Sequence, residues 1–216
     1  MSATARREQL LDVTARLAAQ RGFHALSIEA VSAQAGVTRA LVYNHFRDLH
    51  ELLEAVIDRE TSRALAQVSE TTLTDLSEGD HRELMIEALE AYLNAVRSSP
   101  TTWRLVLMPP EGAPPTLHEK IAAGRAAVLG RLARAVQPLT DRDAEPRDAE
   151  LTARILSVIS DEYARLLLTD PDRFPLQRLL QHARWWLSRM PATHQPASPT
   201  SKTTSPPPPR GPFGPA

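Results

Sequence analysis

Proline is absent from the first 99 residues of this 216-residue chain, and its 18 prolines fall into two groups. Nine lie between Pro100 and Pro175 and nine between Pro191 and Pro215. A proline removes a backbone N–H and clashes with the preceding turn, so a long stretch without one can run as helix until other residues stop it. Ala, Leu, Arg and Glu dominate, apolar residues recur at three and four, and strand-type alternation is missing. The chain is therefore expected to be all-α. The last proline group sits in a Ser/Thr/Pro-rich segment, 191–216, that has too little apolar side chain to repay its ordering entropy. That segment is expected to be a disordered tail, acting as a spacer or, as the narrower reading, a proline-rich docking segment.

Cap signals divide the rest into about nine helices, near 5–21, 27–35, 38–46, 48–72, 80–98, 100–108, 115–137, 146–168 and 171–189. Ser27 and Thr38 are good N-cap types. Asp48 with Glu51, Asp80 with Glu83 and Thr116 with Glu119 have capping-box spacing. Asp170-Pro171 reads as an N-cap before an N1 proline, and Pro100 and Pro146 as two further starts.

Several chemistries are excluded early. There is no cysteine, so disulfides, thiol nucleophiles and Cys-based metal sites are ruled out. The seven histidines, at 24, 45, 50, 81, 118, 182 and 194, form no i, i+4 helical pair, and no metal or other cofactor is expected. No Gly-rich phosphate loop, nucleophile elbow or HExxH occurs, and the chain is read as a non-enzyme. Carboxylates such as Asp161, beside Arg165, are read as lying on solvated faces. No apolar run is long enough to span a membrane, and Met1 to Gln20 carries charges throughout, so a cytoplasmic location is expected.

Charge is uneven. Residues 1–47 hold six Arg and three acidic residues, for +3, while the rest holds 19 basic and 23 acidic, for −4, summing to the chain's −1. A basic head on an acidic body suits an anionic partner for the head. The segment Ser27 to Phe46 reads as a short helix, a turn at Gly36 and a second short helix, the spacing of a helix-turn-helix. Ile28, Val31, Val37, Leu41 and Phe46 are placed to pack against Leu10, Val13, Leu17 and Ala18 of the first helix, with Phe23 and Leu26 closing the small core. With Leu41, Val42 and Phe46 pointing in, the second helix presents Thr38, Arg39, Ala40, Tyr43, Asn44 and His45 outward. Arg39 can bond a guanine edge, Asn44 an adenine edge, and Thr38, Tyr43 and His45 can reach phosphates.

The residues Gly22-Phe23, Ser27, Ile28, Val31, Ala35-Gly36-Val37, Thr38, Leu41, Tyr43, Phe46 and Leu52-Leu53 resemble the DNA-binding domain of TetR-family transcriptional regulators. The match covers some 45 residues, and the length and helix count fit the family. Two positions depart from its pattern. Ser32 stands where alanine is usual and needs a backbone carbonyl partner if buried. Leu49 stands where lysine is common, leaving that phosphate contact to Arg47.

The resemblance implies a three-helix reading head at 1–47 and a six-helix ligand-binding and dimerisation domain at 48–190, followed by the tail. It implies a homodimeric repressor, bound to a pseudo-palindromic operator in double-stranded DNA and released by a small-molecule effector, which the mostly apolar composition of the body leans toward being largely apolar. Ser27, with the residues of the second helix and Arg47, would face DNA. A helical module that binds small molecules or proteins without sequence-specific DNA binding is the alternative.

In the body, the apolar stripe of 146–168 is Leu151, Ile155, Val158, Ile159 and Leu166, with Glu162 on it and Tyr163 at its edge. The stripe of 115–137 is Ile121, Val128, Leu129, Leu132 and Val136, with Arg125 on it. A charge on an apolar stripe is costly unless paired or wetted, which marks Arg125 and Glu162 as polar anchors of a pocket or as snorkelling surface groups. Met85, Tyr92, Trp103, Leu107 and Met108 are the candidate apolar lining, and the loop from Pro109 to Pro115 a candidate gate. The adjacent Trp185 and Trp186 cannot face one core, so helices 146–168 and 171–189 are the expected dimer contact.

Overall fold

The computed structural model describes residues 2–72, 80–140 and 148–189. Among these, the helices are α1 (Ala3–Arg21), α2 (Ile28–Ala35), α3 (Arg39–Tyr43), α4 (Leu49–Thr71), α5 (His81–Ser98), α6 (Pro100–Leu107), α7 (Pro115–Thr140), α8 (Ala149–Thr169) and α9 (Leu176–Ser188), and no strand occurs. A 3-10 turn, Phe23–Ala25, joins α1 to α2. The proline-rich tail and Pro146 lie outside the described residues.

The capping residues act largely as the sequence suggests. Ser27 Oγ accepts from the Ala30 N–H, Thr38 Oγ1 from Leu41 and an Asp48 carboxylate oxygen from Glu51. Asp80 caps α5 through the N–H of Arg82 rather than Glu83. Thr116 is not a cap, because α7 already begins at Pro115. The expected helix start at Asp170-Pro171 is also displaced. Residues 171–174 form a turn, and α9 begins at Leu176 with Pro175 as its N-cap. Pro175 has no N–H to donate, and a proline disfavours the α region for the residue before it, so the helix begins only after Pro175.

Two main cores organise the helices. The first contains Leu10, Val13, Leu17 and Ala18 of α1, with Phe23, Leu26, Ile28, Val31, Val42 and Phe46. It is closed by Leu52, Val56 and Ile57 of α4, Leu105 of α6 and Leu117 of α7. The head thus shares its core with three helices of the body. Val42 is the fully buried residue of α3, while Leu41 is only half-buried. Ser32 is buried, and its hydroxyl donates to the carbonyl of Glu29 at 3.0 Å, the backbone partner its position required. Leu49 packs against this same core.

The second core joins α5, α6, α8 and α9 through Ile86, Leu93, Trp103, Leu107, Leu167 and Leu180. Between the two cores lies a charged network. The Arg59 guanidinium meets Glu8 at 2.8 Å, Asp12 at 2.8 Å and Glu60 at 2.7 Å. Glu60 is only 2% exposed and also accepts a short hydrogen bond from the Thr102 hydroxyl of α6. Burial works against the Arg59 charge, but the hydrogen bond to Glu8 and the charges of Glu60 and Asp12 outweigh it and hold the pKa above its usual value. Removing one member of such a network strands the others, so α1, α4 and α6 are tied at one point.

Candidate functional site

The turn between α2 and α3 is fixed by Gly36, at φ 65° and ψ 37°. The Gly36 N–H donates to Ala33 and the Val37 N–H to Ser32, the paired bonds of a Schellman cap that satisfy carbonyls at the end of α2. The chain then enters α3 with Thr38, Arg39 and Ala40 exposed, together with Tyr43 and Asn44, while His45 is half-buried. The helix ends at Tyr43, shorter than its sequence suggests, because residues 44–46 tighten into a turn in which His45 and Phe46 both donate to Val42. Arg7 of α1 holds this end in place. Its guanidinium lies 4.2 Å from the Phe46 ring centroid and donates to the His45 carbonyl at 3.1 Å. Arg47 is exposed beside this face, its guanidinium 3.2 Å from Asp48, and Ser27 is exposed at the start of α2. The hydroxyl-bearing Ser27 and Thr38, the guanidinium-bearing Arg39 and Arg47 and the amide-bearing Asn44 are thus all exposed, and these are phosphate- and base-reading groups.

A cavity of about 190 Å³ opens in the body between α4, α5, α6, α7 and α8. Met85, Tyr92, Trp103, Leu107 and Arg125 line it, as the sequence suggests. Met108, Glu162 and Tyr163 do not. Met108 packs on the second core, Glu162 is exposed and paired with Arg165 at 3.3 Å, and Tyr163 is buried with its hydroxyl 2.8 Å from Nδ1 of His182. Burial raises the Tyr163 pKa.

The carboxylate on the wall is Asp161, one residue earlier than Glu162. It does not lie on a solvated face. One oxygen accepts from the Tyr92 hydroxyl at 3.1 Å and the other from Arg125 at 2.8 Å. Burial raises the Asp161 pKa, with the Arg125 charge and the Tyr92 bond opposing it. Burial, followed by the nearby Asp161 charge, pushes Tyr92 well above the usual phenol value. Ser157 and Ser160 of α8, Lys120 of α7 and Thr61, Thr71 and Thr72 complete the polar lining. The spacing of Ser157, Ser160 and Asp161, at i, i+3 and i+4 of α8, is the signal that marks this face.

The loop expected to gate the cavity lies elsewhere. The Glu111 carbonyl accepts from the Phe23 N–H at 3.1 Å, and Gly112 backs onto His24. The loop thus docks on the head, and α6 leads directly into it. Leu105 of α6 enters the head's core while Trp103, Val106 and Leu107 line the cavity.

The apolar stripe of α8 points outward. Leu151, Ile155 and Val158 are 54%, 50% and 58% exposed, and Trp185 of α9 is 51% exposed, while Trp186 packs on the second core. Ala149, Ala153, Ala164, Leu167 and Leu168 face inward instead.

A helix-turn-helix head thus shares helices with a cavity-bearing helical body. Residues 10–56 match the family described as bacterial regulatory proteins, tetR family. The head thus matches the TetR family of transcriptional regulators, and the chain as a whole is similar to its members. Among similar proteins, the HTH-type transcriptional activator FasR of Mycolicibacterium smegmatis is 28% identical over 167 residues, covering 76% of this chain and 73% of the relative. A TetR-like transcriptional regulator from Rhodococcus sp. RHA1 shares the fold at TM-score 0.69 and 21% identity, covering 88% of this chain and 97% of its own. A protein from Saccharomonospora viridis, described as a transcriptional regulator in complex with choline, does so at TM-score 0.63 and 20% identity, covering 87% and 97%. No described helix is long and apolar enough to cross a membrane.

Proposed function

We propose that the chain is a homodimeric repressor whose heads, residues 1–47, read a pseudo-palindromic operator, and whose body, residues 48–190, binds a small effector that releases it. Thr38, Arg39, Ala40, Tyr43 and Asn44 enter the major groove, with Ser27, His45 and Arg47 toward the backbone. The observation that carries this reading is the double role of α6, which gives Leu105 to the head's core and Leu107 to the cavity wall. A molecule that reshapes the cavity through α6 also shifts the head. By linkage, DNA then changes the affinity for that molecule by the same factor. The structure of the Saccharomonospora viridis protein with choline supports a small-molecule role for this body. The exposed stripe of Leu151, Ile155 and Val158, continued by Trp185, supports pairing with a second copy through α8 and α9. Two heads then meet half-sites one helical turn apart, about 34–36 Å, or a multiple of it.

The Mycolicibacterium relative is named an activator. The same coupling serves activation if the occupied form is the one that binds DNA. The test is to select fragments of the source genome with the purified full chain at moderate salt. Enrichment of one pseudo-palindrome, with affinity falling steeply as salt rises, is expected. Equal affinity for that site and for random DNA would overturn the reading. Transcription from the selected site with and without the chain separates repression from activation.

A further inference from the structure

Resting on the reading of the body cavity as an effector site, we infer that its ligand is an uncharged amphiphile: an apolar body with a neutral hydrogen-bonding head, such as a hydroxyl or carboxamide. The walls are overwhelmingly apolar, and the charges among them are already paired inside the protein. Arg125 meets Asp161 at 2.8 Å, and Lys120 meets Asp58 at 3.0 Å. Most neutral polar groups are also satisfied. Thr61 donates to Ile57, Thr72 to Val68 and the Trp103 indole N–H to Gln67. Ser157 and Ser160 differ. Both are half-buried on the α8 wall, and neither hydroxyl makes a hydrogen bond among the described residues. Their hydroxyls, beside the remaining lone pairs of Asp161, are ready to receive a neutral head.

Charged heads meet a penalty. An anion that takes Arg125 must displace Asp161, whose side chain is only 14% exposed and would keep Tyr92 as its remaining partner. A cation that takes Asp161 displaces Arg125, which at 42% exposure can turn to water. The expected order is therefore neutral first, cation second and anion last.

The test is calorimetry on the full chain with four probes of one chain length: decanol, decanamide, decanoate and decylamine, each below its micellar concentration. The two neutral probes are expected to bind about tenfold or more tighter than decanoate. Asp161→Asn frees Arg125 and should raise decanoate affinity relative to decanol by about tenfold. Arg125→Gln should do the same for decylamine. Gly124→Leu places a side chain where an added Cβ meets nothing within 4 Å and should remove binding by filling the cavity. Tightest binding of a charged probe by the unmodified chain, or an unchanged ranking in Asp161→Asn, overturns the head-group inference and leaves the effector site standing. Failure of all four probes, or binding that survives Gly124→Leu, overturns the cavity as the effector site as well.

Discussion

The backbone N–H of Phe23 donates to the carbonyl of Glu111 at 3.1 Å, tying the first turn after α1 to the loop that follows the cavity helix α6. Gly22, immediately before it, has φ 81°, and an added Cβ would lie 2.9 Å from the His24 ring and 3.0 Å from the Glu111 carbonyl oxygen. Gly22→Ala is therefore expected to destabilise by about 2–3 kcal/mol, combining backbone strain with a clash against fixed backbone. Gly36→Ala is the control. It has a positive φ but nothing within 4 Å of the new Cβ, so about 1 kcal/mol is expected. Urea denaturation of both variants checks the pair, and equal losses would show that the Phe23–Glu111 junction carries no packing cost.

Glu60→Ala should destabilise by about 2–3 kcal/mol, because it removes the shared partner of Arg59, Arg63 and the Thr102 hydroxyl at a fully buried position. The same variant loosens α1 from α4 and α6. Hydrogen exchange should accelerate in α1 before it does in α9, and uniform acceleration would count against a local tie.

Arg39→Ala should weaken operator binding by about 1–3 kcal/mol and relax preference at one base position. Arg47→Ala should weaken all sequences alike and flatten the salt slope by about one. Binding titrations over a salt series distinguish them. A uniform effect from Arg39→Ala would move that residue from base to backbone.

Val158→Glu places a charge at the centre of the exposed α8 stripe. Sedimentation should shift from dimer to monomer with helicity unchanged, and operator affinity should fall as the two heads lose their linkage. An unchanged sedimentation coefficient would exclude this face as the contact.

Two carboxylates should respond to acid with opposite sign. The backbone bond from Glu51 and the neighbouring Arg47 hold Asp48 below the usual carboxylate range. Its cap stabilisation is present above the unfolded value, near about 4, and is lost as the pH falls through the lower folded value. Burial holds Asp161 above that range. Its contribution is most favourable below the unfolded value and is lost as the pH rises through the raised folded one. Stability of Asp48→Ala and Asp161→Asn against the unmodified chain, measured between pH 3 and pH 7 by denaturation, should therefore diverge in opposite directions, within roughly this carboxylate window.

The head was the legible part of the sequence because its constraints are local. Gly36 must turn, Ser27 and Thr38 must cap, and Val31 and Phe46 must meet Leu10. The body was less so. A step of one residue along a helix swings a side chain through about 100°, so periodicity alone could not favour Asp161 over Glu162. Leu151, Ile155 and Val158 form the same stripe whether it meets a core or a second copy. Pro109, Pro110 and Gly112 marked a loop, but only the folded chain shows that it lands on Phe23 and His24.

The double allegiance of α6 also bears on how this protein can diversify. A substitution at Trp103 or Leu107 that suits a new molecule sits on the same eight-residue helix that gives Leu105 to the head and Thr102 to Glu60. Such a change is screened for folding and DNA reading at the same time as for its effect on the ligand. Ser157, Ser160 and Asp161 lie on α8, which gives no residue to the head's core. In lineages descending from this chain, new chemical preferences should therefore accumulate along α8, while α6 stays nearly frozen.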